Sequence, residues 1–302
     1  SAGAVYRPLG GIAVEHIGFA GQKDREALRY LWLESFEDTP EAVDFFLSNW
    51  LLPGNCVAAW DRGKLVAALY LLPGVWQEEG RRYPAQYIYG AATAPAFRGR
   101  GWMGHVLAFA DSTAARKRGA QVSCLLPANA SLYPFYAQYG YETVFYTRMV
   151  DKGRKELENL TNRKKRTPAS ISPTPLWDIR EASMSKETGI QWEEKMVEYA
   201  ININRLYGGR LVRTDSGYAL YRQEKDLAEI LEWRCFGCEE ELLTALLKDT
   251  NAQTFCFRLS AEDTLFPGEG NLVPFGMSKT LYPGLSIGNP QGKKPYLGLT
   301  LD

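Results

Sequence analysis

The stretch from Ala85 to Ala128 narrows most sharply what this chain can fold into. "AQYIYGAATAP" reads as a strand, "FRGRGWMG" as a turn, "WMGHVLAFADSTAARKRG" as a helix, and "AQVSCLLPA" as a buried strand. The helix must start directly from Arg98-Gly99-Arg100-Gly101. Helix N-termini leave backbone N–H groups unpaired and carry partial positive charge. Glycines in the preceding turn let those groups converge on a phosphate. Arg98 and Arg100 add charge and forked donors. The segment therefore reads as a candidate pyrophosphate cradle; the plainer alternative is a strand-to-helix turn with two solvent-facing arginines. No GK[ST] follows, so it is not a Walker loop, and no ribose-reading acid makes it a dinucleotide fingerprint.

The flanking sequence extends the same mixed pattern. "GIAVEHIGF" alternates like a strand. "DREALRYLWLESF" places Leu28, Leu31, Trp32 and Phe36 on one helical face behind Asp24 as cap. "TPEAVDFFLSNWL" repeats that grammar, with Thr39 as N-cap and Pro40 at the first helical position. "NCVAAWDRGKLVAALYLLPGVWQ" is a hairpin about Asp61-Arg62-Gly63. After the cradle, "SLYPFYAQYG" predicts a short helix and "YETVFYTRMV" a last strand.

Residues 151–175, charged and then rich in Ser, Thr and Pro, read as a linker. The basic run Arg163–Arg166 within it has no interleaved aromatics and fits a solvated surface. Beyond it the pattern is αβ again. "KETGIQWEEKMVEYAININRLYG" is helical, "GYALYRQEKDLAEILEWRC" is two strands about a charged turn, "CEEELLTALLKDTNA" a helix, and "QTFCFRLS" a strand. Strand, hairpin, helix, strand is the order of the first half, without an RGRG-type loop. With 302 residues the chain suits two domains: 1–150 and 176–302 about the linker.

Thirty-five basic and thirty-five acidic residues balance, which argues against a general nucleic-acid binder. No apolar run approaches the roughly 18 residues of a membrane span. The first residues lack a signal-peptide pattern. Five cysteines scattered over the chain suit reduced thiols and a cytoplasmic location. Cys235-Phe-Gly-Cys238 is a lone CxxC, and His16 and His105 are the only histidines, too few ligands for a zinc site. No metal is expected.

Taken together, Arg98-Gly99-Arg100-Gly101-Trp102-Met103, Asn129 and "FYAQYGY" (Phe135–Tyr141) resemble the motifs of the GCN5-related N-acetyltransferases (GNAT), whose loop follows [Q/R]-x-x-G-x-[G/A]. The resemblance covers about residues 11–150. It implies an α/β GNAT fold with a mixed sheet in the first half, binding acetyl-CoA as cosubstrate. Backbone amides of Arg98, Gly99, Arg100, Gly101, Trp102, Met103 and Gly104 would hold the pyrophosphate. Main-chain groups of Ala92, Thr93 and Ala94 would pair with the pantetheine arm, and Asn129 would contact it. Met103 departs from the small residue of the pattern, and Gly104 arrives one place late. The same departure is found in the subgroup that resembles the mycobacterial enhanced intracellular survival acetyltransferases. Its members place a second, cofactor-less GNAT-like unit after the first, so residues 176–302 are expected to be a degenerate GNAT-like domain. A full third, sterol-carrier-like domain does not fit in the remaining length.

Amine acetylation needs a base for the ammonium proton and an acid for the leaving thiolate. The motif position makes Tyr136 the acid. The strand before the loop carries no carboxylate, which leaves Glu37, Asp38 or Glu41, a water chain, or a C-terminal carboxylate at Asp302, as the resemblance suggests, for the base. His105, one turn into the helix, is a weaker candidate, and Cys124 reads as a buried thiol and not a nucleophile. Trp32, Phe36, Phe45, Phe46, Trp50, Trp76, Tyr87 and Tyr89 divide between core and pocket wall in a way periodicity does not resolve. The expected reaction is direct transfer from acetyl-CoA to a primary amine of a small molecule or peptide, with homo-oligomerisation open. A non-catalytic acyl-CoA sensor and a transferase of longer acyl groups are the rival readings.

Overall fold

The computed structural model describes residues 16–161, 174–282 and 292–301. In chain order the first elements are β1 (His16–Ala20), α1 (Arg25–Ser35), α2 (Pro40–Trp50), β2 (Cys56–Asp61), β3 (Lys64–Glu78) and β4 (Arg81–Thr93). Helix α3 (Trp102–Phe109) continues through a wider π turn (Ala110–Ala114) into α4 (Ala115–Arg118). Then come β5 (Val122–Leu125), α5 (Tyr133–Ala137), β6 (Glu142–Thr143), β7 (Tyr146–Gly153) and α6 (Arg154–Thr161). The remainder comprises α7 (Leu176–Met184), β8 (Gly189–Gln191), α8 (Glu194–Leu206), β9 (Arg210–Arg213), β10 (Gly217–Glu224), β11 (Leu227–Cys235), α9 (Glu239–Asp249), β12 (Thr254–Ser260), β13 (Asn271–Pro274) and β14 (Met277–Thr280).

Local chemistry explains the boundaries. The Thr39 hydroxyl accepts the Ala42 N–H at 3.2 Å, and Pro40 opens α2 where no amide donor is needed. At α1 the cap differs from expectation: the Asp24 carboxylate accepts the Gly21 N–H at 3.0 Å, one turn earlier, and makes no capping bond to α1. Arg62 (φ 48°) and Gly63 (φ 76°) are both left-handed, the two-residue turn that matches strand twist.

The chain forms two compact units, and their sequences interleave. The first holds residues 16–75, 83–142 and 277–282 of the described chain. Its sheet runs β1-β2-β3-β4-β5-β14. β4 and β5 are parallel, and β14, which arrives from far along the chain, pairs antiparallel with β5, Met277 opposite Leu125. Its core includes Val57, Leu69, Ile88, Val106, Leu107, Leu125 and Met277.

The second unit holds residues 76–82, 143–161, 174–276 and 292–301. Its sheet runs β13-β7-β12-β11-β10-β9, with β11 and β12 parallel and β7 antiparallel to β12. Hairpin, helix, parallel strand, then an antiparallel strand from a distant part of the chain: both sheets follow that order. Its core gathers Val150, Leu157, Leu246, Phe255 and Phe257.

Several expectations are corrected. The units do not divide at residue 150, because β7 carries Val150 into the second core. The linker read over 151–175 begins with ordered structure: β7 runs to Gly153 and α6 buries Leu157 beneath a charged surface. Arg163–Arg166 lie outside the described residues. The expected last strand splits into β6 and β7. The helix expected from Lys186 is preceded by strand β8. Gly189 sits at φ 152°, where an added Cβ would lie 2.7 Å from the Tyr296 backbone nitrogen.

Candidate functional site

The first unit brings most of the sequence-predicted residues onto one path, from β4 through the loop into α3. The β4–β5 register ends at Ile88 opposite Leu125, while β4 runs on to Thr93. Gly90 marks the change of course at φ 59°. A Cβ there would lie 2.8 Å from the Trp32 ring and 3.1 Å from Tyr70, so only glycine fits. Past Ile88 the β4 main chain has no β5 residue opposite it, because β5 ends at Leu125.

Ala92 and Ala94 are buried and Thr93 half-buried. Ala94 does not offer the main-chain groups expected of it. Its N–H donates to Val66 O at 2.8 Å, and its carbonyl accepts from Phe97 N at 2.8 Å, closing the turn Pro95–Phe97. The Thr93 carbonyl accepts from Arg98 Nε at 3.0 Å. Arg98 therefore folds back to brace the strand end, while Arg100 places its guanidinium 5.5 Å from the Phe97 ring centroid. Gly99, Arg100 and Gly101 are exposed.

Gly99 (φ 73°) and Gly101 (φ 80°) both adopt the left-handed conformation, and Gly101 caps α3. Two turns of this hand in close succession need residues without Cβ. They point the first-turn amides of Trp102, Met103 and Gly104 out of the helix end with no acidic residue in that turn. Trp102 is buried in the core and Met103 packs partly against it, so these positions present backbone, not side chain, to the loop.

Asn129 is exposed, and its side-chain oxygen accepts from Ser131 N (3.1 Å) and Ser131 Oγ (2.5 Å), capping the turn before α5. Its NH2 group is the end left to face a ligand. Tyr136 is buried on α5 between Phe135 (ring centroids 5.1 Å) and Tyr141 (6.1 Å). Burial pushes its phenol up to about 12. Among the described residues its hydroxyl has no hydrogen-bond partner.

Of the carboxylates on the α1–α2 connection, Glu37 and Glu41 are exposed and Asp38 is half-buried. Asp38 accepts from Trp32 Nε1 at 2.8 Å. The Trp32 ring then reaches across to Gly90, within an aromatic group that includes Phe36, Phe46, Tyr70 and Tyr89. Periodicity did not single out this link between Asp38 and the β4 bend; the glycine inside an otherwise apolar strand was the available signal. His105 is half-buried, and burial lowers its pKa, favouring the neutral ring. Cys124 is buried, donates to the Gln86 carbonyl at 3.6 Å, and has its thiol pKa raised by burial. Asp302 lies outside the described residues. The tail before it, Leu297 to Leu301, belongs to the second unit, where Trp192 Nε1 donates to Leu297 O and Gly298 O.

Among the described residues no cluster of three or more His, Cys, Asp or Glu is placed to hold a metal, and no helix is long and apolar enough to cross a membrane. Cys235 and Cys238 are not in a disulfide.

Comparison with known proteins bears on the fold that carries these residues. Residues 16–144 match the family model of the acetyltransferase (GNAT) domain. Similar solved structures include a conserved protein of unknown function from Enterococcus faecalis, described as a probable N-acyltransferase: 21% identity, 88% of this chain, 72% of that one, TM-score 0.69. A GCN5-related N-acetyltransferase from Kribbella flavida shares 17% identity over 88% of this chain and 70% of its own, TM-score 0.69. Eis1 from Mycobacterium abscessus shares 14% over 88% and 74%, TM-score 0.62. At these identities the likeness is one of fold. No curated protein matches the chain significantly.

Proposed function

On the premise that residues 16–144 carry a GNAT acetyltransferase domain, we propose that the chain moves an acetyl group from acetyl-CoA to a primary amine, directly and within a ternary complex. One observation carries this reading: β4 runs on past its last β5 partner at Ile88 and leads, through the Pro95–Phe97 turn and the Arg98–Gly101 loop, to a glycine-capped helix mouth with no acid in its first turn. An extended arm ending in a diphosphate is the ligand shape that uses both features.

The Arg98 N–H, expected in the cradle, donates to Pro95 O at 3.3 Å, so the amides of Gly99 to Gly104 take the pyrophosphate, with Arg100 and the outer nitrogens of Arg98 adding charge. The main chain of Ala92 and Thr93 pairs with pantetheine, Ala94 ends the strand, and the Asn129 NH2 donates to the arm. The acceptor nitrogen attacks the thioester carbonyl, loses its proton to a base, and the C–S bond breaks as the sulfur leaves. Tyr136 donates its hydrogen bond to that sulfur. A phenol near 12 is a weaker acid than a thiol near about 8.5, so Tyr136 acts chiefly by stabilising the thiolate, and full proton transfer is uphill. For the base, Asp38 is preferred over Glu37 and Glu41 because Trp32 holds it beside the β4 bend. Asp302 is the alternative.

Isothermal titration with acetyl-CoA, paired with thiol release over an amine panel, tests the reading. Binding with turnover on at least one amine is expected. Tight binding without turnover on any amine favours an acyl-CoA sensor, and preference for a longer acyl-CoA in competition favours a different acyl group. Tyr136→Phe should lower kcat at least about tenfold with cofactor affinity held. Unchanged kcat removes Tyr136 from the chemistry.

A further inference from the structure

The small residue of the cofactor loop falls at Gly104 and not at position 103, and the fold gives a reason. Gly104 is buried in the first turn of α3, and an added Cβ would lie 2.7 Å from Tyr139 Cζ and 2.8 Å from Cε1. The tip of the Tyr139 ring occupies the space where a side chain at 104 would be, against the helix backbone. Tyr139 is held there from two sides: its N–H donates to Tyr136 O at 3.0 Å, and its ring meets Phe135 at 5.2 Å. Gly140, at φ 85°, turns the chain away immediately afterwards.

A leucine or phenylalanine would fill this groove as well as tyrosine does, so packing alone does not call for the hydroxyl. Tyr139 is half-buried, and among the described residues its hydroxyl has no hydrogen-bond partner. It lies beside the turn whose amides, those of Trp102, Met103 and Gly104, lack helical acceptors. An O–H donor among outward-facing N–H donors has one kind of common partner, an oxyanion.

We propose that the Tyr139 hydroxyl is a further positioning group of the cofactor site, donating to the diphosphate of coenzyme A alongside the α3 amides, and that Gly104 is glycine to admit it. This rests on the reading of the loop as a coenzyme A site. Tyr139 touches the phosphate end, whereas Tyr136 serves the sulfur end.

The test compares acetyl-CoA with S-acetylpantetheine, which carries the same thioester and arm but no phosphates, on the full chain and on Tyr139→Phe. The phenylalanine keeps the ring, so an unchanged melting temperature is the check on the fold. Titration should show acetyl-CoA binding weakened about tenfold, the scale of one hydrogen bond to a charged group. Affinity for S-acetylpantetheine should be unchanged, and with a reactive amine the KM for acetyl-CoA should rise while kcat holds. Equal acetyl-CoA affinity in the two proteins overturns the inference and leaves the cofactor reading intact. Equal losses for both ligands also overturn it, since they would mean a packing role. Failure of the unsubstituted chain to bind acetyl-CoA overturns the cofactor reading, and this inference with it.

Discussion

Both units run a strand into a helix at the place where a parallel neighbour begins, yet the two junctions are opposite in charge and backbone. In the first, β4 passes through Arg98-Gly99-Arg100-Gly101 to an α3 mouth with left-handed glycine at the cap and no acid in its first turn. In the second, β11 passes through Cys235-Phe-Gly-Cys238 to α9, capped by Cys238 in extended conformation, with Glu239, Glu240 and Glu241 in the first turn. Carboxylates there complement the helix end from within and repel an anion. The β11–β12 register also ends early, at Ile230 opposite Phe257, so the strand geometry alone is shared. Past Ile230, β11 carries Glu232 and Arg234, buried and tied into the fold by Arg180, Tyr218, Tyr296 and Glu187. The strand arrangement is shared by both units, so the cofactor site proposed for the first unit rests on the residues at its helix mouth.

The largest effect bearing on this contrast is expected from truncation. A chain ending at residue 161 lacks β14, and β5 loses its antiparallel partner. We expect it to be unfolded or aggregated, since a bare apolar edge results; a cooperative melt and normal acetyl-CoA binding from this fragment would show that the interleaving is dispensable. Next, Arg98→Glu with Arg100→Glu gives the first mouth the charge of the second and should weaken acetyl-CoA binding by about a hundredfold or more, read by titration. Wild-type affinity in that variant would mean the arginines only face solvent.

A smaller effect is expected at Lys279, which β14 brings to Asp111 (3.0 Å), itself bonded to the Tyr141 hydroxyl at 2.8 Å. Burial raises the pKa of Asp111, and Lys279 opposes that shift. Lys279→Met leaves a buried carboxylate without its cation, for about 1–3 kcal/mol after allowing for the partial exposure of the lysine. The melting temperature should fall and partly recover in the double variant with Asp111→Asn; no recovery would show that the pair is not coupled.

In the second unit, burial pushes Asp263 up to about 6 from 3.8. The folded state therefore holds the proton more tightly, and its stabilising share is complete below about pH 4 and lost as pH rises through 6. Asp263→Asn should raise the melting temperature by a few degrees at about pH 7.5 and change it little at about pH 4. A shift of the same size at both pH values would contradict this assignment.

How much was legible in the sequence depends on how far apart the partners lie. Thr39-Pro40, the apolar spacing of α1 and the Asp61–Gly63 turn are local signals, and the elements they announce formed within a residue or two. The partner of β7 was not legible, because alternation in "FYTRMV" marks a strand without saying which sheet receives it. β14 is too short for periodicity, and α6 hides Leu157 within a charged run. At the site, the glycines of the loop were legible as a turn before a helix, and Gly99 and Gly101 are both left-handed. The engagement of Ala94 with Val66 and the Asp38–Trp32–Gly90 link are contacts between distant segments, visible only once the chain is folded.

The most direct measurement is the stoichiometry of acetyl-CoA binding by calorimetry, on the full chain and on the Arg98→Glu, Arg100→Glu variant. The contrast between the two helix mouths predicts one acetyl-CoA per chain and its loss in the variant. Two molecules per chain, or one that persists undiminished in the variant, would contradict it.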